Sequence, residues 1–151
     1  MGISYGGAQD VQRKFANVET FERDGTTLYR TSVDGKTVIA KEFSGSGLWG
    51  AINGVLAVTS DVERTVGIEI ISHNETPGLG GRIDEPWFKK QLRNEKIEDG
   101  TIRVGGGGDG DTDSDNAEID AITGASRTSD AMQVILDNEL SSFASILGEN
   151  S

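Results

Sequence analysis

The stretch from Ser129 to Leu147 constrains this chain most. Met132, Ile135, Leu136, Leu140, Phe143, Ile146 and Leu147 recur at three- and four-residue spacing. That period predicts one long helix with a single buried apolar stripe. Upstream, most apolar runs favour strands. Leu28 and Val38-Ile39 flank Asp34-Gly35, a strong short hairpin signal. Ile52 to Val58 reads as a strand, and residues 64–72 alternate well enough to partner it. Residues 101–104 read as a further short strand. Two shorter helices are predicted: 8–17, with Ala8, Val11 and Phe15 on one face, and 86–94, with Pro86 in the first turn and Phe88 and Leu92 inward. Residues 73–86 hold two prolines and three glycines, which excludes regular structure there. Residues 105–118, "GGGGDGDTDSDNAE", read as a solvated acidic loop. Because few strands are separated by helices, the expected class is α+β: one compact domain over 1–151, a small, twisted, mostly antiparallel sheet with flanking helices and a long C-terminal helix.

Charge and residue usage remove several functions. Twenty-five acidic against fourteen basic residues give a net charge of −11, a poor surface for nucleic acid. Cysteine is absent, so disulfides, thiolate metal sites and cysteine nucleophiles are excluded. A single histidine, His73, rules out a histidine-rich metal centre. No run approaches the roughly 18 apolar residues that span a bilayer, and the first residues lack the pattern of a signal peptide.

Chemistry concentrates before the last helix, in "DAITGASRTSDAM". A helix N-terminus offers unpaired N–H groups and the positive end of the dipole, a seat for an anion and above all a phosphate. Gly124 and Ala125 leave room for backbone approach, and Ser126 puts a hydroxyl where a phosphate would lie. The stretch fits a phosphate held at the turn or esterified to that hydroxyl. Taken alone, it also fits an ordinary Ser/Thr cap, the simpler reading. "ETPGLGG", residues 75–81, is a tight loop open to close backbone approach, or simply a turn between strand and helix. "GSGLWG", residues 45–50, sets a tryptophan among glycines, either as a core aromatic or as a flank for a planar ligand.

In this order the three stretches resemble the FMN-binding domain family, whose members include the C component of the sodium-translocating NADH:quinone reductase (Nqr) and the G component of the Rnf electron-transport complex. The matches are Gly47-Leu48-Trp49-Gly50, Glu75 to Gly80, and Asp120-Ala121-Ile122-Thr123-Gly124-Ala125 followed by Ser126-Arg127-Thr128-Ser129. The resemblance runs from about Phe43 to the C-terminus and is loose over the first forty residues. It implies an electron-carrying flavoprotein in which FMN is joined through its phosphate to the position of Ser126 by a separate flavin transferase that uses FAD. The family usually has threonine there; serine keeps the oxygen and loses a methyl. The resemblance gives Thr128 a phosphate-contact role. It places Glu75, Thr76, Leu79 and Gly80 near the isoalloxazine ring, with Leu48 and Trp49 packed beside it. Thr123, Gly124 and Ala125 belong to the phosphate turn, and Asp120 has a recognition or capping role. Arg103 is either a cation near the phosphate or ring, or a plain surface charge. The other proteins of a membrane redox complex are the implied partners. The implied location is the extracytoplasmic face of a bacterial inner membrane, with the family's N-terminal membrane helix absent from this chain.

Two other readings stay open. One is non-covalent FMN binding, or a non-redox module whose glycine loops are only connections. The other is a calcium loop. Asp109, Asp111, Asp113, Asp115 and Asp120 fall at positions 1, 3, 5, 7 and 12 of such a loop. Ser114 stands at the glycine position and the last ligand is Asp instead of Glu, which favours a solvated acidic loop.

Overall fold

A computed structural model describes residues 18–23 and 25–148. Five strands form one antiparallel meander: β1 (Glu19–Arg23), β2 (Thr26–Val33), β3 (Lys36–Ser46), β4 (Ala51–Thr59) and β5 (Thr65–Ser72), each paired with its neighbour in sequence. The β2–β3 hairpin turns at Asp34-Gly35, with φ of 52° and 80°. Both central residues are left-handed, as a type I′ turn requires. The predicted strands of residues 52–58 and 64–72 are β4 and β5. β1 was not predicted; its five residues are too short and too polar to signal a strand by pattern. The predicted helix over 8–17 lies outside the described residues.

After β5 the chain makes a 3-10 helix at Gly80–Asp84 and a short helix α1 at Pro86–Lys90. The 3-10 helix corrects the expectation of wholly irregular structure between residues 73 and 86. Pro77-Gly78 closes a turn in which Leu79 N–H and Gly81 N–H both donate to Thr76 O, and Ile83, fully buried, anchors the next turn in the core. Helix α1 stops earlier than predicted, yet Phe88 and Leu92 both point inward with no exposed surface. β6 (Arg103–Gly107) and β7 (Glu118–Ala121) form a separate parallel pair. The expected loop over 105–118 is thus corrected at both ends: three of its glycines extend β6, and Glu118 opens β7.

Helix α2 (Ser126–Gly148) begins three residues before its predicted start. Its stripe of Met132, Ile135, Leu136, Leu140, Phe143 and Ile146 is buried against Leu28, Ile39, Phe43, Ile52, Leu56, Val58, Ile68 and Ile70 of the sheet. Close approach needs a bare backbone on β3, since a Cβ at Gly45 would sit 2.4 Å from Ile135 Cγ1. One polar contact joins these layers: Lys41 of β3 pairs with Glu139 of α2, its ammonium 5.6 Å from the Phe143 ring. This packing fixes where the N-terminus of α2 emerges, beside β6 and the loop after β5.

Candidate functional site

The turn into α2 sorts the clustered hydroxyls. Gly124 has φ of 82°, and Ala125 N–H donates to Ile122 O at 3.1 Å. Ser129, buried, accepts from Ile122 N–H at 3.1 Å and so closes the turn. Thr128 is 2% exposed and its hydroxyl donates to Glu75 Oε1 at 2.8 Å. Thr123 and Ser126 are exposed. Ser126 opens the helix, and among the described residues its hydroxyl has no hydrogen-bond partner. One hydroxyl is therefore structural glue, one a clasp, and Ser126 is free at the positive end of the helix dipole.

Ser126 lines a cavity of about 390 Å³. Its walls are Val104, Gly105, Gly106 and Gly107 of β6, Ala121 at the end of β7 and Ile122 after it, and Gly124, Ser126, Ser129 and Asp130 of the α2 turn. The size lies within the range of small-molecule and cofactor sites. Gly106 presents bare backbone: a Cβ there would meet nothing within 4 Å. A phosphate monoester at the helix N-terminus, with its organic part against this smooth wall, fits the residues present.

The second and third motifs meet the first through Glu75. This carboxylate is 4% exposed and accepts from Leu48 N–H at 2.9 Å, Trp49 N–H at 3.1 Å and Thr128 Oγ1. Burial works to raise its pKa, but the bonds from Thr128, Leu48 and Trp49 outweigh it and hold the carboxyl below its usual range. His73 joins the same cluster, its Nδ1 accepting from Glu75 N–H at 3.0 Å. Gly80 is buried against the cluster: a Cβ on it would fall 2.3 Å from Thr128 Oγ1. Around this clasp lie exposed apolar side chains: Leu48 at 40%, Trp49 at 65% and Leu79 at 47%. Leu79 reaches the α2 turn, where a Cβ on Gly124 would touch its Cδ2 at 3.9 Å. Thr76 is exposed, and its carbonyl closes the turn beneath Leu79.

Thr128, Arg103 and Asp120 are not in the cavity wall. Thr128, expected against a phosphate, faces Glu75 in the interior instead. Arg103 pairs with Glu118 at 3.2 Å with its side chain 74% exposed, and it is not in the cavity wall. Asp120 accepts from Gly110 N–H at 3.1 Å, pinning the acidic loop. Within that loop Asp111 accepts from Asp113 N–H and Asn116 Nδ2, Asp113 accepts from Asp115 N–H, and Asp115 pairs with Arg64, while Asp109 is exposed. Among the described residues no group of three or more acidic or histidine side chains is placed to hold a metal ion.

Sequence reasoning missed three residues. Gln91, 5% exposed, accepts from Asp111 N–H and Asp120 N–H and donates to Asp120 O, fastening the loop to α1. Glu95, 1% exposed, accepts from Glu118 N–H at 3.2 Å beneath the same loop. Asp130 shares the cavity wall with Ser126, and its spacing of four residues on a helix was the available signal.

Comparison with known proteins converges on these segments. The profile of the FMN-binding domain family matches residues 47–141. The C component of the Na(+)-translocating NADH-quinone reductase of Yersinia pestis is 31% identical, covering 99% of this chain and 53% of that protein. The G component of the ion-translocating oxidoreductase complex of Methanosarcina acetivorans is 31% identical, covering 57% of this chain and 40% of that protein. The chain spans about half the length of the curated relatives it matches. The crystal structure of Shewanella oneidensis NqrC superposes with a TM-score of 0.68 at 23% identity, over 89% of this chain and 70% of that one, which shows a shared fold. Among the described residues no helix is long and apolar enough to cross a membrane.

Proposed function

Since the chain belongs to the FMN-binding domain family, we propose that it carries FMN, esterified through its phosphate to Ser126, as the electron-transfer domain of an ion-translocating NADH:quinone or ferredoxin:NAD oxidoreductase. FMN supplies reversible uptake and release of electrons, a chemistry that no side chain of this protein offers. The protein's part is to hold and orient. The α2 N-terminus and Gly124 receive the phosphate, Gly105 to Gly107 form a flat wall, and Leu48, Trp49 and Leu79 supply apolar contact at the rim. The one histidine accepts at Nδ1 from the Glu75 N–H and is not in the cavity wall, where Asp130 is the titratable side chain.

The observation that carries the covalent reading is the exposed Ser126 in the cavity wall, its hydroxyl unpartnered among the described residues. In attachment, Ser126 Oγ bonds to the flavin-side phosphorus of FAD as the P–O bond to the AMP half breaks. AMP leaves and the hydroxyl proton passes to the flavin transferase. The partners proposed are that transferase during maturation and the other proteins of a membrane redox complex afterwards, on the extracytoplasmic face of the membrane.

Intact-mass measurement of the protein made with and without a flavin transferase and FAD tests this. The expected result is one added FMN mass with the transferase, mapped to the peptide containing Ser126 and lost in Ser126→Ala. An unchanged mass with tight, dialysable FMN replaces the ester with a non-covalent site, and absence of any flavin overturns the reading.

A further inference from the structure

Resting on the reading of this domain as an FMN carrier, we propose that Glu75 is a positioning residue: a buried carboxylate that locks the Leu48-Trp49 loop to the helix turn bearing Ser126. Glu75 is not placed to touch a cofactor itself. It is 4% exposed, and both its oxygens are taken by protein donors. Oε1 serves Leu48 N–H and Thr128 Oγ1 together, and Oε2 serves Trp49 N–H. The donors come from two segments far apart in sequence, Gly47–Gly50 and the first turn of α2, and Glu75 itself belongs to a third.

The surroundings leave little slack. A Cβ at Gly47 would fall 2.9 Å from Glu75 Oε2, and one at Gly80 would fall 3.2 Å from Glu75 Cβ as well as against Thr128. Glycines on both flanks let the loops close onto the carboxylate. Behind it, His73 Nδ1 accepts from Glu75 N–H and fixes the backbone from which the side chain projects. The exposed Trp49 side chain therefore stands on a backbone held by a buried ionised group, and the same group holds Thr128, two residues past Ser126. The 47–50 loop and the turn bearing Ser126 thus share one buried anchor.

Stereochemistry sets the test. A carboxylate accepts at both oxygens, whereas a glutamine amide accepts at only one end. In Glu75→Gln either Leu48 N–H or Trp49 N–H must lose its acceptor while side-chain volume is kept. Thr128→Val removes the hydroxyl at nearly constant shape, and Thr128→Ser restores it. The readouts are amide hydrogen exchange at Leu48 and Trp49 in flavin-free protein, and the visible spectrum and midpoint potential of the FMN-loaded protein. Expected in Glu75→Gln is exchange faster by about tenfold or more at one or both amides, as for loss of a hydrogen bond to a charged group. Thr128→Val should show a smaller increase, and Thr128→Ser should return to wild type. The spectrum and potential of loaded protein should shift in the same order. Exchange and flavin properties unchanged in both Glu75→Gln and Thr128→Val would overturn the proposal. Failure of wild-type protein to take up FMN would overturn the functional reading, while amide exchange would still decide whether the clasp exists.

Discussion

Thr128 Oγ1 donates to Glu75 Oε1 at 2.8 Å across 53 residues of sequence, and neither side chain is more than 4% exposed. Glu75→Ala would leave three donors without their acceptor, Thr128 Oγ1 in the interior and the Leu48 and Trp49 N–H groups partly buried. Each unsatisfied buried group costs about 1–3 kcal/mol, so a total near 3 kcal/mol is expected after relaxation. For a domain of this size that is a fall in Tm of roughly 6–12 °C. The pH dependence follows from the lowered pKa of Glu75. Stability from the ionised carboxylate is complete above the usual value of 4.5 and is lost as pH falls through the folded value. Denaturation of Glu75→Ala should therefore be less acid-sensitive than that of wild type.

Two glycines of the site should answer differently to the same substitution. Gly80→Ala drives a methyl to 2.3 Å from Thr128 Oγ1 and 3.0 Å from Thr128 Cβ, so the clasp must open, at a cost of about 2 kcal/mol. Gly106→Ala meets nothing within 4 Å and should leave stability within about 0.5 kcal/mol of wild type. Because Gly106 lines the cavity, its methyl should weaken FMN uptake. Thermal melts paired with flavin titration separate the two, and a Gly106→Ala protein that binds FMN normally would move the cofactor off that wall.

The motifs were legible because their geometry is local. Pro77-Gly78, Asp34-Gly35 and the stripe of α2 each state their conformation within a few residues. The cross-links were not. Nothing near Glu75 says that its oxygens face Leu48, Trp49 and Thr128, since those pairings depend on how the meander sets three loops side by side. β6 was legible only at its start, Arg103 and Val104 of the strand expected over 101–104: Gly105, Gly106 and Gly107 carry no hydrophobic pattern, and the strand's far end shows only in the pairing of Gly107 with Ala121 of β7. The hydroxyls of Thr123, Ser126, Thr128 and Ser129 sit within seven residues of sequence, and only the folded structure separates the exposed pair, Thr123 and Ser126, from the buried pair, Thr128 and Ser129.

Gln91 should matter more than a surface glutamine. Its Oε1 accepts from Asp111 N–H at 2.8 Å and Asp120 N–H at 2.7 Å, and its Nε2 donates to Asp120 O at 3.2 Å. Gln91→Ala leaves these groups without partners, at a cost of about 2 kcal/mol. Gln91→Glu keeps the acceptors but loses the donor and adds charge beside Asp111 and Asp120, so it should not rescue. Limited proteolysis within residues 108–117 reads the result, with both variants cleaved faster than wild type.

Glu95 gives stability a slope near neutral pH, and the sign is the reverse of that for Glu75. Burial pushes its pKa up to about 7, opposed by the Glu118 N–H and Ala117 N–H bonds and reinforced by Asp111 and Asp113 above it. The unfolded chain ionises this group near its usual 4.5, so between the two values the folded state holds a proton that the unfolded state has released. Its favourable protonation is complete below the lower value, and stability declines as pH rises until the folded carboxyl ionises. At about 1.4 kcal/mol per pKa unit, the decline is on the order of 3 kcal/mol. Glu95→Gln keeps the shape and an acceptor for Glu118 N–H while removing the titration. Urea denaturation across that window should show the variant close to wild type at about pH 5 and more stable at about pH 8, with the gap opening between the two pKa values and constant once the folded carboxyl has ionised. Parallel profiles for the two proteins would mean that the Glu95 carboxyl is already ionised in the fold at the acid end.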